Sequence, residues 1–238
     1  PSFLNPGSIP EGKYAEVPLD DVVEGFFDLH VTGALLVRGT LYFPETPEDF
    51  ELENHGTMSL AETGSLINHS IVMNYGAFTN QGTIEMSGGW MNNAGTFTNA
   101  TAGSILNGGM LDNSVSGAIN NSGSIENYGL INNNGAITNS ATGSINNGGT
   151  LANNGTVNVC TGEYSGAAPN QNPLVELDAC GVCGGSGVDT DSDGTCDDVD
   201  PWLGTLFTQN VSADFNDAGN WDNGLPSLTN PGSIPNGK

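Results

Sequence analysis

Apolar and amide positions alternate with small polar ones through the middle of the chain, and the alternation has a long period. Segments starting at Gly64, Gly82, Gly103, Gly123 and Gly143 open GSLIN, GTIEM, GSILN, GSIEN and GSINN; the first four are 18, 21, 20 and 20 residues long. Each holds one short unit three times: glycine or a small stand-in, any residue, an apolar residue, any residue, asparagine. Three apolar columns result. They are Leu66, Ile84, Ile105, Ile125 and Ile145; Val72, Met91, Leu111, Ile131 and Leu151; and Phe78, Phe97, Ile119, Ile137 and Val157. Two residues after each lies a second set: Asn68, Met86, Asn107, Asn127 and Asn147; Asn74, Asn93, Asn113, Asn133 and Asn153; Asn80, Asn99, Asn121, Asn139 and Val159. Thirteen of these fifteen slots hold asparagine, a regularity that a disordered linker has no reason to keep.

In a strand, residues two apart share a face. Each apolar residue and its asparagine therefore point one way, and the Ser, Thr, Ala and Glu between them point the other. Three short strands and three corners in about 20 residues predict an all-β fold: a triangular parallel β-solenoid with coils about 4.8 Å apart. The apolar columns fill the interior. The asparagines sit at the corners, where their amides bond to the coils above and below. The corner glycines are expected to supply backbone angles with positive φ. Extra residues at 100–102, 114–116 and 140–142 fall at different corners, which predicts an uneven outline.

This places the regular solenoid at 64–159, after an opening segment with irregular capping coils at 1–63. There Phe26, Phe27, Tyr42 and Phe43 read as a larger capping core, needed because an exposed coil end is an open sheet edge. A Cys- and Asp-rich loop occupies 160–200 and a junction segment 201–238. The last thirteen residues, PSLTNPGSIPNGK at 226–238, match the first thirteen, PSFLNPGSIPEGK, at ten positions. That repeat predicts copies of the chain as its partners, head to tail, either as tandem repeats or as filament subunits. With no initial Met and no signal peptide, the sequence reads as a mature or internal piece of a longer product.

Charge sharpens the picture. The chain carries 27 acidic residues against 3 basic ones. Twelve acids precede Gly64, twelve follow Val159, and only Glu85, Asp112 and Glu126 lie between. Such a surface repels nucleic acid and anionic lipid, and no apolar run reaches the roughly 20 residues a membrane helix needs.

All four cysteines, Cys160, Cys180, Cys183 and Cys196, fall within 37 residues, where three pairings are open. They read as disulfides, implying an oxidising extracellular or cell-surface setting; a zinc site lacks a histidine nearby. Residues 189–200, DTDSDGTCDDVD, place Asp189, Asp191, Asp193, Thr195, Asp197 and Asp200 at positions 1, 3, 5, 7, 9 and 12 of a twelve-residue loop, the oxygen spacing that Ca²⁺ takes. This stretch resembles the calcium-binding repeats of thrombospondin type 3 and related bacterial adhesin modules. DACGVCGGSG is similar to a Cys/Gly-rich motif of extracellular bacterial repeat proteins. NWDNGLP with GSIPNGK resembles the opening segments of autotransporter-type β-solenoid passengers.

Catalytic constellations are not found. Glu85 and Glu126 lie two coils apart and Asp112 on another side, so no two carboxylates face each other as glycoside hydrolysis requires. His30, His55 and His69 are scattered and read as structural or surface residues, and GVCGGSG lacks the Lys of a phosphate loop. The expected function is a non-enzymatic structural repeat unit or subunit of an extracellular filament or giant adhesin stalk, stabilised by Ca²⁺ and disulfides. The alternative is a monomeric surface module binding glycan or ice through the outward column Ser65, Thr83, Ser104, Ser124 and Ser144.

Overall fold

A computed structural model describes residues 7–24, 28–45, 51–189, 196–197, 205–206 and 232–233, the last two pairs through their backbone. Two compact units are distinguished, Pro1–Val175 and Glu176–Lys238.

The first unit is a parallel β-solenoid, and among the described residues there is no helix. Three parallel sheets form its sides. Side A has nine strands, from Gly7–Ile9 to Asn170–Gln171; side B has eight, from Tyr14–Val17 to Thr156–Asn158; side C has eight, from Val22–Glu24 to Glu163–Gly166. Every strand pairs with the strand three places on in the chain, so the backbone climbs through eight complete coils of A, B and C. Most strands have four residues, the second and fourth buried and the first and third turned outward. The three apolar columns run in register through the interior, for example Leu66, Ile84, Ile105, Ile125 and Ile145 on side C. All are buried to within a few per cent, and each contributes on the order of 1.5–3 kcal/mol of apolar burial. On side B, Phe78 and Phe97 meet edge to face at 5.1 Å.

The same three sheets also take in residues 7–63, and there the column occupants change. Where later coils carry asparagine at the fourth strand position, the leading coils carry Ile9 and Val31 on side A, Val17, Val37 and Leu60 on side B, and Phe43 on side C. All six are buried. The expected aromatic cap is thus corrected at Tyr42, which stands at an outward position and meets the His69 ring edge to face at 5.8 Å. Phe26 and Phe27 lie outside the described residues. The expectation that the extra residues at 100–102, 114–116 and 140–142 fall at different corners is corrected in part: 114–116 follows side A, but 100–102 and 140–142 both follow side B and share one corner. Each closes a tight turn, with Gly103, Gly117 and Gly143 donating to the carbonyls of Ala100, Ser114 and Ser140 at 2.8 Å.

The expectation for the corner glycines is also corrected. Positive φ is confined, among described glycines, to Gly12, Gly88, Gly166, Gly181 and Gly184, none of which opens one of the five segments. The reason for glycine at those starts is close approach between coils. A Cβ on Gly82 would lie 2.0 Å from the Gly64 carbonyl oxygen, and one on Gly123 would lie 2.1 Å from that of Gly103. Backbone meets backbone there, with no flexible side chain to give way.

Gly82→Ala should therefore cost about 1–3 kcal/mol, the penalty of overpacking a close-packed site. Gly12→Ala has open space around its Cβ position and strains only its own φ. A smaller loss of melting temperature for Gly82→Ala than for Gly12→Ala would show that close approach is not what selects glycine.

Candidate functional site

Inter-coil asparagine ladders are the dominant polar feature of the molecule. All thirteen asparagines named above are buried at the three corners. At the corner after side A, Asn74 donates through Nδ2 to Asn93 Oδ1 at 2.7 Å. The chain of amides continues to Asn113, Asn133 and Asn153 at 2.8 Å each. After side B the ladder is Asn80, Asn99, Asn121 and Asn139, and after side C it is Asn107, Asn127 and Asn147, with steps of 2.7–2.8 Å. The second amide hydrogen bonds a backbone carbonyl of the following coil, such as Asn127 to Thr150 at 3.1 Å. At each amide-to-amide step Nδ2 points to the next coil and the accepting Oδ1 to the previous one. Turning one amide over would set donor against donor, so each ladder has a direction.

Ladder starts and breaks follow from the same rule. Asn68, Asn80 and Asn107 have no asparagine in the coil before them. Each accepts instead the backbone N–H two residues on, from Ser70, Gly82 and Gly109 at 3.0–3.2 Å. Asn54, which the periodic reading of 64–159 missed, heads the side A ladder by donating to Asn74 at 2.7 Å. Its own Oδ1 is buried with no partner. Met86 interrupts the side C column, and Asn68 donates to the Trp90 carbonyl at 3.1 Å in place of an amide. Asn68 and Asn99, each the first residue of an Asn-x-Ser/Thr triplet, are fully buried.

The outward columns differ between sides. On side C, Ser65, Thr83, Ser104, Ser124 and Ser144 are in register. Glu85 and Glu126 share that side two coils apart, with Leu106 between them, and Asp112 stands on side A. Burial pushes the Asp112 carboxyl above its ordinary range, and Asn132 donates to it at 3.3 Å. Side A also carries an apolar outward column that the sequence reading passed over: Ile71, Trp90, Met110 and Leu130, in register over four coils.

Two of the histidines prove to be neighbours. His30 and Glu53 are register partners on side A, with Nδ1 and Oε2 2.6 Å apart, and His55 Nε2 lies 3.6 Å from the same oxygen. His55 stacks on Tyr75 at 4.7 Å. Beside them burial, then the charges of Glu53 and Asp28, raise the Glu51 carboxyl above its usual range. Solenoid stacking brings together residues more than 20 apart in sequence, which is why the sequence left them scattered.

In the second unit, Asp178 organises the start of the cysteine-rich loop. Its Oδ1 accepts the N–H groups of Cys180 at 3.0 Å and Val182 at 2.8 Å, and its Oδ2 accepts that of Gly187 at 2.7 Å. The Val182 and Gly187 bonds hold its carboxyl below the ordinary range. Cys180 and Cys196 form a disulfide with Cα atoms 5.3 Å apart, and no described cysteine is free. Of the twelve-residue acidic loop, Asp189 and Asp197 are described; Asp191, Asp193, Thr195 and Asp200 lie outside the described residues. Asp197 N–H donates to the Val188 carbonyl at 2.9 Å, which ties the loop's ninth position to the residue just before its first. Among the described residues no three His, Cys, Asp or Glu side chains group as a metal site.

Removing a ladder amide leaves the neighbours on both sides unpaired. Asn127→Ala and Asn133→Ala should each cost about 1–3 kcal/mol, read by thermal melting. Met86→Asn should be tolerated, because it joins Asn68 to Asn107. Ile84→Asn, equally buried on the same strand, should be severely destabilising because it meets no amides. Similar melting losses for these two would mean that the ladder does not determine which polar groups the interior accepts. For Asp178 the lowered carboxyl means that its stabilisation is present above the ordinary carboxylate range and lost as pH falls through the lowered value. Asp178→Ala should speed reduction of Cys180–Cys196 at pH 7, with the difference shrinking when a phosphine carries out the reduction at a pH low enough to protonate Asp178. Equal rates at pH 7 would exclude that role.

Compared with known protein families, with curated proteins and with solved structures, the chain matches none of them.

Proposed function

We propose that this chain is a structural repeat unit or subunit of an extracellular filament or adhesin stalk, with copies following one another head to tail. The observation that carries the reading is the investment of the interior in inter-coil bonding. Three buried amide ladders of fixed direction run alongside three parallel sheets. A coil-by-coil solenoid of this kind bonds each step chiefly to its immediate neighbours and transmits load along its axis. The repeated segments at 1–13 and 226–238 supply the head-to-tail element. The acidic loop then holds Ca²⁺ through Asp189, Asp191, Asp193, Asp197 and Asp200 with the Thr195 carbonyl. Its closure through Val188 and Asp197 suits that role. The bacterial adhesin and autotransporter-passenger resemblance, an oxidising location and the absence of catalysis belong to the same proposal.

A second reading, a monomeric surface binding module, is favoured by one feature. The outward apolar column Ile71, Trp90, Met110 and Leu130, half-buried except at the exposed Met110, offers a stacking surface beside the polar Asn92, Asp112 and Asn132. A glycan is the ligand class such a side suits.

Electron microscopy of native material with and without EDTA separates the two. Long fibres with an axial repeat set by one 225-residue unit are expected, loosening in EDTA. Isolated short rods under both conditions would favour the binding module. Calorimetric titration should give weak Ca²⁺ binding, on the order of 10⁻⁴ to 10⁻³ M; no heat at millimolar Ca²⁺ removes calcium from the proposal.

A further inference from the structure

The strand Gly7–Ile9 ends side A, and among the described residues nothing pairs with its outer edge. Its inner edge pairs with Leu29–Val31, Gly7 against Leu29 and Ser8 against His30. Gly7 N–H donates to the Asp28 carbonyl at 3.0 Å, and the Ile9 carbonyl accepts from Thr32 N–H at 2.9 Å. Successive residues of a strand direct their backbone groups to opposite edges. Gly7 and Ile9 are therefore bonded inward, and Ser8 turns its N–H and C=O to the open side. An unpaired edge of this kind accepts another strand.

The same Gly-Ser-Ile-Pro sequence recurs at 232–235 within the second unit. There Gly232–Ser233 is a strand that pairs in parallel with Thr205–Leu206, Gly232 against Thr205 and Ser233 against Leu206. The step from Thr205 to Gly232 is 27 residues, close to the 22 that separate Gly7 from its coil partner Leu29. Thr205–Leu206 thus precedes its Gly-Ser partner in the sequence, whereas Leu29–Val31 follows its own.

Resting on the head-to-tail reading, we propose that two copies meet through one shared Gly-Ser-Ile strand. Its glycine and isoleucine pair with Leu29–Val31 of one copy, and its serine pairs with Thr205–Leu206 of the other. Each copy carries this strand at both ends, so one of the two displaces its equivalent at the joint. The partner is a second copy of this chain, and the contact is strand addition. The register is fixed: Leu206 of one copy, the shared serine and His30 of the next occupy one row across three strands. At about 4.8 Å per strand step, Leu206 and His30 are about 10 Å apart.

Two experiments test this on the full chain. The double variant Ser8→Pro with Ser233→Pro removes the outward N–H at both candidate strands without touching the inner ladder. Sedimentation velocity should show association weakened at least tenfold, with the melting of the solenoid unchanged. Independently, a chain carrying His30→Cys and Leu206→Cys, treated with a bismaleimide spanning about 10 Å, should give chain-to-chain ladders joined at residues 30 and 206. The native cysteines are disulfide-bonded and do not compete. If the proline variant misfolds, the cross-link decides alone. Wild-type protein that assembles while neither the double variant weakens it nor the cross-link forms would overturn the shared strand and leave the head-to-tail reading standing. Cross-links confined to single chains would do the same. Wild-type protein that stays monomeric at every concentration would overturn both.

Discussion

A buried amide needs two partners, and in this protein it finds them in the same residue one coil away. Asn113 accepts from Asn93 and donates to Asn133 at 2.8 Å on both sides. That requirement links every coil to its neighbours more strictly than apolar packing does. An isoleucine column tolerates leucine, methionine or phenylalanine, as side B shows by running from Phe97 to Ile119. An asparagine column tolerates a gap only where the amides beside it find backbone groups, as Asn68 and Asn107 do around Met86. Glycine at the segment starts, strand length and corner length all follow, since the amides stay within about 2.8 Å only if coils stack without slipping.

The ladders also explain how the solenoid can begin. Before Asn54, Asn68 and Asn80 the corner columns are apolar, with Val31, Phe43 and Leu60 in the equivalent positions. The first asparagine of a ladder has no amide donor behind it; Asn68, Asn80 and Asn107 find a backbone N–H instead, and the leading coils delay the start by filling the corners with hydrocarbon. Asn54 bears the cost, its Oδ1 buried without a partner. The ends therefore differ in chemistry from the middle. The acidic residues concentrate there too, leaving the central coils nearly uncharged outside Glu85, Asp112 and Glu126.

In the proposed filament, stiffness lies in the amide-laddered coils and the special chemistry lies at the joints. Disulfides and the Asp178 hydrogen bonds order a loop whose described residues are mostly exposed and too polar to form a core. A joint built from backbone pairing suits two acidic termini, because strand addition relies on N–H and C=O groups and not on complementary charge.

The sequence by itself determined the solenoid, its three sides and the inward columns. The information is local and periodic: Leu66 and Asn68 announce their shared face two residues apart, and the glycine-led segments announce the coil length. What only the tertiary structure decided depends on which residues of different coils come to lie side by side. The positions of Asn54 at a ladder head, His30 and His55 around Glu53, and Trp90 in an apolar outward column all depend on summed corner lengths over about 20 residues or more. The role of the segment-leading glycines changed for the same reason, since a neighbouring coil's carbonyl, invisible in a single coil's sequence, occupies the space where a Cβ would stand. Asp178 was missed because it acts through backbone N–H groups as far as nine residues away, a contact that exists only once the cysteine loop has folded.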